Sequence, residues 1–290
     1  MNDVAKRGRY RPMSSFPAVS GFLIFFLLTI VVFPSHSEAL QGSAAVERRV
    51  WAMGTRLTVT VEAADRDAAL TASGAAIHAV EEVEKRLSSW RDDSELSRLN
   101  NAIPGSAFPI SSEMEADLRL AKHWWKETRG AFDPGIASLI EAWDLRRQGR
   151  QPSVVELAAA RSAAGLGNLG LDPGYARIQT AGFGIEEGGF GKGVALHHAA
   201  NAAVEAGARC VVLDFGGQIS AAGDCWNLAV EIADPDRREL TIGTLHFRSG
   251  SVATSGNSER GLVVNGVARG HLLDPQTGLP VSDWGSVTVV

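Results

Sequence analysis

From Arg56 to Glu62 apolar Leu57, Val59 and Val61 alternate with Thr58, Thr60 and Glu62, which predicts a half-buried strand. The period then changes. Over Asp65 to Leu87 the chain is rich in alanine, with Leu70, Ile77, Val80, Val83 and Leu87 at helical spacing and Asp65 or Asp67 in the first turn. Residues 88–100 read as a turn and a short solvated helix. Ser111 or Ser112 caps a second long helix that runs through Thr128, with acidic residues at its positive end and Gly130 as its stop. A helix over Ile136 to Leu145, a polar linker over Arg146 to Ser153 and a further short helix follow. Tyr175 to Gln179 and Phe183 to Ile185 are strand candidates, and Glu186 to Gly193 is a glycine-rich turn into an alanine-rich helix ending near Glu205. Beyond it lie a continuous apolar strand (Arg209 to Asp214), an alternating one (Trp226 to Ile232) and another from Leu240 to Phe247. Asn265-Gly266 between apolar runs predicts a hairpin, and Ser286 to Val290 a final strand. Strands mixed with helices in this order support an α/β or α+β class and no finer choice.

Composition narrows the picture modestly. The chain has 290 residues, 45% hydrophobic and 21% charged, which allows one large domain or two small ones. A formal charge of −5 gives no basic footprint for nucleic acid. Residues 1–39 have a basic start (Lys6, Arg7, Arg9, Arg11), an apolar run from Gly21 to Phe33 and a small-x-small site at Ser37-Glu38-Ala39. That is the layout of a secretory signal peptide, and the run is short against the ~20 residues of a membrane-spanning helix. The expectation is an exported protein whose mature part is residues 40–290. Cys210 and Cys225 would then meet an oxidising compartment. A disulfide between them is geometrically possible, but two cysteines form no framework, and buried free thiols are the favoured reading.

The residues with chemical potential sit on loops. Glu186-Glu187-Gly188-Gly189-Phe190-Gly191-Lys192-Gly193 would present free N–H groups at a helix start, an anion site with Lys192 as an added charge, although it matches neither a P-loop nor a dinucleotide fingerprint. Ser251 to Gly256 and Gly270 to Pro280 would be brought together by the hairpin, placing Thr254-Ser255-Gly256 near His271 and Asp274. A lone histidine beside leucines is more often structural than catalytic, and Asp-Pro-x-Thr-Gly is an ordinary turn.

The pattern Ala-Thr-Ser-Gly…Glu-Arg…His-Leu-Leu-Asp-Pro-x-Thr-Gly-x-Pro-Val resembles the ApbE-like flavin transferases, the FAD:protein FMN transferases. Met53-Gly54-Thr55, the Trp90 to Asn100 segment, Ala131-Phe132-Asp133-Pro134, the Glu186 to Gly193 turn and Gly216-Gly217-Gln218-Ile219 continue the likeness in order from about Val50 to Val290. The resemblance implies an α+β, two-lobed fold with a T-fold-like core and FAD in the cleft between the lobes. It implies transfer of FMN from FAD to a Ser or Thr hydroxyl of a target protein, with Mg²⁺ assisting and AMP leaving. Met53, Trp90, Ala131, Phe132, Asp133, Glu186 and Lys192 would contact FAD, and the main-chain oxygen of Gly189 the metal. Thr254, Ser255 and Gly256 would shape the phosphate end, and Leu273 would pack on the flavin side. His271 is the candidate base, because an ordinary imidazole titrates near pH ~6.5. The implied acceptors are exported flavoprotein subunits of electron-transport complexes, with a peripheral place at the inner membrane as an option. Two alternatives use the same site: a metal-dependent FAD pyrophosphatase and an inactive FAD-binding module. Departures are Glu186 for the usual Asp, Phe190 for a smaller aliphatic and Val194 for an aromatic. The family's Asp and Thr metal ligands, expected after the last strand, have no counterpart, so the chain reads as truncated or divergent.

Overall fold

The computed structural model describes residues 43–256, 261–264, 267–281 and 285–290. The first half runs β1 (Ala44–Ala52), β2 (Thr55–Ala63), α1 (Arg66–Leu87), α2 (Glu95–Asn100), β3 (Ala107–Pro109), α3 (Ser112–Glu127), α4 (Ala137–Ala142), α5 (Val154–Ala163), β4 (Leu169–Asp172) and β5 (Tyr175–Ile178). The second runs α6 (Gly191–Glu205), β6 (Cys210–Phe215), β7 (Gln218–Gly223), β8 (Leu228–Ala233), β9 (Thr241–Phe247), β10 (Gly250–Gly256), β11 (Gly261–Val264), β12 (Val267–Gly270) and β13 (Ser286–Val289). The predicted leader and the turn pair Asn265-Gly266 lie outside the described residues.

The architecture is α+β. An antiparallel sheet in the order β1-β2-β6-β7-β10-β13 forms the backbone of the molecule. The alternation seen in the sequence points Leu57, Val59 and Val61 at α1 and α6, where they are fully buried with Val211, Leu213 and Phe215. Asp65 caps α1 by accepting from the Ala68 N–H at 2.8 Å. The other face of β6 and β7 places Cys210, Val212, Ile219 and Ala221 against Leu228 and Val230 of β8. With helices on one side and the β8–β9 hairpin on the other, β6 is apolar at nearly every position, hence its continuous apolar run.

Four expectations are corrected. Cys210 and Cys225 are joined in a disulfide with a Cα–Cα distance of 4.7 Å, so they are not free thiols. The register explains the pairing: Cys210 lies opposite Gly223, and the chain turns there to bring Cys225 alongside. Phe183 to Ile185 is extended but joins no sheet. Its backbone is held by a side chain instead, Asn100, whose amide accepts from the Ile185 N–H at 2.8 Å and donates to the Ile185 carbonyl at 2.9 Å. The expected helix to Leu145 is regular only to Ala142, and the short helix α2 buries Leu96 and Leu99 completely, so it is not solvated on all sides.

A smaller unit docks beside this core. Leu273 is buried with Leu139, Ala142, Trp143 and Ala160 on α4, α5 and the turn after α4. The Asp274 to Pro280 loop is anchored there by the Trp143 indole N–H on the Gly278 carbonyl (2.7 Å) and by Arg161 on the Gln276 carbonyl (2.8 Å). Gly278 has φ +70, and a Cβ would stand 2.9 Å from Arg161 Cγ and 3.0 Å from Leu139 Cδ2. Gly278→Ala is therefore expected to cost about 1–3 kcal/mol, read as a lower denaturant midpoint at unchanged slope; an unchanged midpoint would show that the loop is not clamped.

Candidate functional site

The site is built at one end of the main sheet. Leu57 pairs with Phe215 and Phe215 with Gln218, so the β1–β2 turn and the β6–β7 turn lie side by side at that end. The β1–β2 turn is the two-residue Met53-Gly54, both left-handed at φ 44 and 72, a twist that matches the flanking strands. Thr55 packs tightly on the second turn: a Cβ on Gly216 would lie 2.7 Å from Thr55 Oγ1. β10 pairs Val252 with Ile219 and then continues past the Gln218 end of β7, which carries Thr254, Ser255 and Gly256 to the same end. There they pair with β13, and the Thr254 and Thr288 hydroxyls are 2.8 Å apart.

The start of α6 points into this cluster. No side chain caps the helix at Phe190, so the positive end of its dipole faces this cluster without a side-chain acceptor, with Lys192 in the first turn. The neighbouring glycines are there because the space is taken. A Cβ on Gly191 would meet Met53 Cε and Glu187 Cγ, each at 3.1 Å, and one on Gly193 would lie 3.4 Å from Gln218 Nε2. Gly189 lies against Phe132, whose Cε2 would be 3.7 Å from a Cβ there. Three separate chain segments, those of Met53, Phe132 and Gln218, thus converge on the α6 N-terminus.

The Trp90 segment is a frame for the same place. Ser94 caps α2 and also donates to the Ser88 carbonyl at 2.6 Å, and Ser97 donates to that carbonyl at 3.2 Å. With Leu96 and Leu99 buried below and Asn100 on Ile185, the motif fixes the loop that presents Trp90, which is 66% exposed. Beside it the Glu186 carboxylate, 13% exposed, accepts from the Ser89 hydroxyl at 3.3 Å and is paired with Arg146. Arg146 also donates to the Ser89 carbonyl (3.1 Å) and hydroxyl (2.7 Å), with its guanidinium carbon 4.9 Å from the centre of the Trp90 ring. Read from sequence as part of a polar linker, Arg146 was missed; no spacing signal marks it.

Glu187 is the buried partner of this acidic pair. Its Oε2 has no hydrogen-bond partner, and burial pushes its carboxyl up from the ordinary range; the Ser89 hydroxyl pulls it back and the charge of Glu186 adds to the rise. A carboxyl with a raised folded pKa contributes stability below its unfolded pKa and loses it as pH rises through the folded value. Glu187→Gln is therefore expected to gain in melting temperature over the wild type as the pH is raised from 5 to 8. Parallel curves for the two proteins would contradict a Glu187 pKa raised by burial.

Not every predicted contact residue faces this cluster. Asp133 is buried, and its carboxylate accepts from the Gly135 N–H (2.8 Å) and the Leu166 N–H (3.0 Å). Desolvation raises its pKa, and these bonds act against the rise. Ala131 precedes it as an exposed residue, whereas Phe132 is half-buried and does lie against Gly189. Leu273 is committed to the α4–α5 cluster. His271 leaves β12 one residue past the Gly261–Gly270 pair and two before Leu273, so its backbone is pinned from both sides. Among the described residues no three His, Cys, Asp or Glu side chains form a metal-holding group.

The ApbE family model matches residues 53–290. The FAD:protein FMN transferase of Klebsiella pneumoniae is 27% identical over 252 residues, covering 82% of this chain and 71% of that protein. The Vibrio cholerae protein of that name is 27% identical over 221 residues, covering 73% of this chain and 66% of its own length. Among solved structures, the ApbE protein of Thermotoga maritima aligns with a TM-score of 0.78 at 27% identity, over 84% of this chain and 81% of that one. The flavin transferase ApbE of Vibrio cholerae aligns with a TM-score of 0.73 at 25% identity, over 85% and 81%. Sequence and fold agree, and the chain belongs to the ApbE family.

Proposed function

We infer that this chain transfers FMN from FAD to a Ser or Thr hydroxyl of an acceptor protein. The observation that supports it most is the convergence of Met53, Phe132, Gln218 and the uncapped start of α6 with Lys192, beside an exposed Trp90 and a largely covered Glu186. A dinucleotide has a flat ring for Trp90 and a pyrophosphate for the helix start. In the reaction the acceptor hydroxyl oxygen bonds to the flavin-side phosphorus and the bridging P–O bond breaks. AMP leaves with the bridging oxygen, and the hydroxyl proton passes to His271. Lys192 and the α6 N–H groups would hold the charge that grows on the phosphates. The resemblance also implies Mg²⁺, which would share this charge-holding role when bound at the Gly189 carbonyl.

The leader pattern and the Cys210–Cys225 disulfide support export to an oxidising compartment, where the acceptors would be exported flavoproteins of electron transport. No helix of the described residues is long and apolar enough to cross a membrane. The test is chromatography of nucleotides after incubation with FAD and Mg²⁺. AMP release that needs the acceptor supports transfer, and FMN with AMP released equally without it supports the pyrophosphatase.

A further inference from the structure

We propose that Arg146 is a positioning residue for FAD, backing one face of Trp90 and holding the Glu186 carboxylate so that platform and acceptor keep one geometry. The proposal rests on the reading that FAD meets this chain at Trp90 and Glu186.

The segment after α4 is a closed turn and no linker. Asp144 is left-handed at φ 52, and its carbonyl accepts from Arg147 and Gly149 at 3.1 Å each, while Arg150 returns its N–H to the Trp143 carbonyl at 2.8 Å. Trp143 is buried and bonded to Gly278, so the base of the turn is fixed to the His271–Pro280 segment. Trp90, by contrast, has little packing of its own. What restrains it is the loop backbone and one guanidinium group, its carbon 4.9 Å from the ring centre.

The planar guanidinium makes four contacts at once: its N–H groups reach the Ser89 carbonyl, the Ser89 hydroxyl and Glu186, and its central carbon stands over one side of Trp90. The opposite side of the ring is then the stacking surface for the isoalloxazine. A lysine ammonium can supply the charge but not the fork of N–H groups that reaches Ser89 and Glu186 together. At 35% exposure the Arg146 side chain stays partly hydrated, so its contacts are of the modest kind. Through Trp143 and Arg146, three residues apart, one short turn ties the flavin side of the site to the His271 side.

The experiment is titration of FAD into the full-length chain, followed by flavin fluorescence, for the wild type, Arg146→Ala, Arg146→Lys and Trp90→Ala. Arg146→Ala is expected to weaken FAD about tenfold, the product of one cation–π contact and one half-exposed ion pair. The loss should fall on KM with kcat at saturating FAD little changed. Arg146→Lys should recover part of it, and millimolar guanidinium added to Arg146→Ala should recover part as well. A residue needed only for folding would show neither rescue. If Trp90→Ala weakens FAD and Arg146→Ala binds it as tightly as the wild type or more tightly, the positioning role is overturned and the contact is a block. If neither substitution changes binding, FAD is not at Trp90, and the site reading fails with the proposal.

Discussion

His271→Ala is expected to slow FMN transfer by about 10²–10⁴-fold, the usual worth of a general base, while FAD still binds within a few-fold of the wild type. The expectation follows from what His271 is asked to do. The acceptor hydroxyl cannot attack phosphorus until its proton has somewhere to go, and that demand arises only in the transition state. Removing the base therefore lowers kcat rather than affinity. Its backbone is held on one side by the β11–β12 hairpin and on the other by Leu273 and the anchored Asp274 loop. The imidazole is thus delivered from a fixed point. Single-turnover AMP release beside an FAD titration checks it; full-rate transfer by the variant would remove His271 from the mechanism.

Asp133→Ala is the second large effect, and its sense differs from the one that family resemblance suggests. The carboxylate makes its hydrogen bonds to the N–H groups of Gly135 and Leu166, both buried. Gly135 is pressed against that second segment so closely that a Cβ would lie 2.7 Å from the Leu166 nitrogen and 2.8 Å from the Gly165 carbonyl carbon. Removing the carboxylate leaves two buried donors unpaired at a contact that cannot relax, a loss of about 2–5 kcal/mol. The result should appear as a lower denaturant midpoint, with Asn milder than Ala because its amide oxygen keeps one acceptor. FAD binding should fall only as far as unfolding removes competent protein. A variant as stable as the wild type that has lost FAD would make Asp133 a direct ligand and overturn the structural role.

Local pattern made much of this fold legible. Leu57, Val59 and Val61 alternate because one face of β2 is buried, and α1 declares itself through its apolar spacing and its Asp65 cap. The glycine-rich turn before α6 was visible as an anion site because the tight approach of Met53, Glu187 and Gln218 demands glycine there. Other features depend on partners far along the chain. β1 went unread since Glu47, Arg48 and Arg49 interrupt its apolar positions on an edge strand. Phe183 to Ile185 reads as a strand by composition, but it pairs with the Asn100 side chain 85 residues away and the Ala137 N–H instead of a strand. The disulfide depends on the β6–β7 register, and the burial of Leu273 on helices more than a hundred residues earlier. Arg146 is informative only once Trp90, Ser89 and Glu186 stand around it.

The central claim is covalent transfer, and the intact mass of the acceptor tests it most directly. An exported Thr-bearing flavoprotein domain would be incubated with this chain, FAD and Mg²⁺, and then weighed under denaturing conditions. The account predicts an addition of the mass of FMN less water, mapped to one Ser or Thr and absent with His271→Ala. An acceptor of unchanged mass while FMN accumulates free in solution would contradict it.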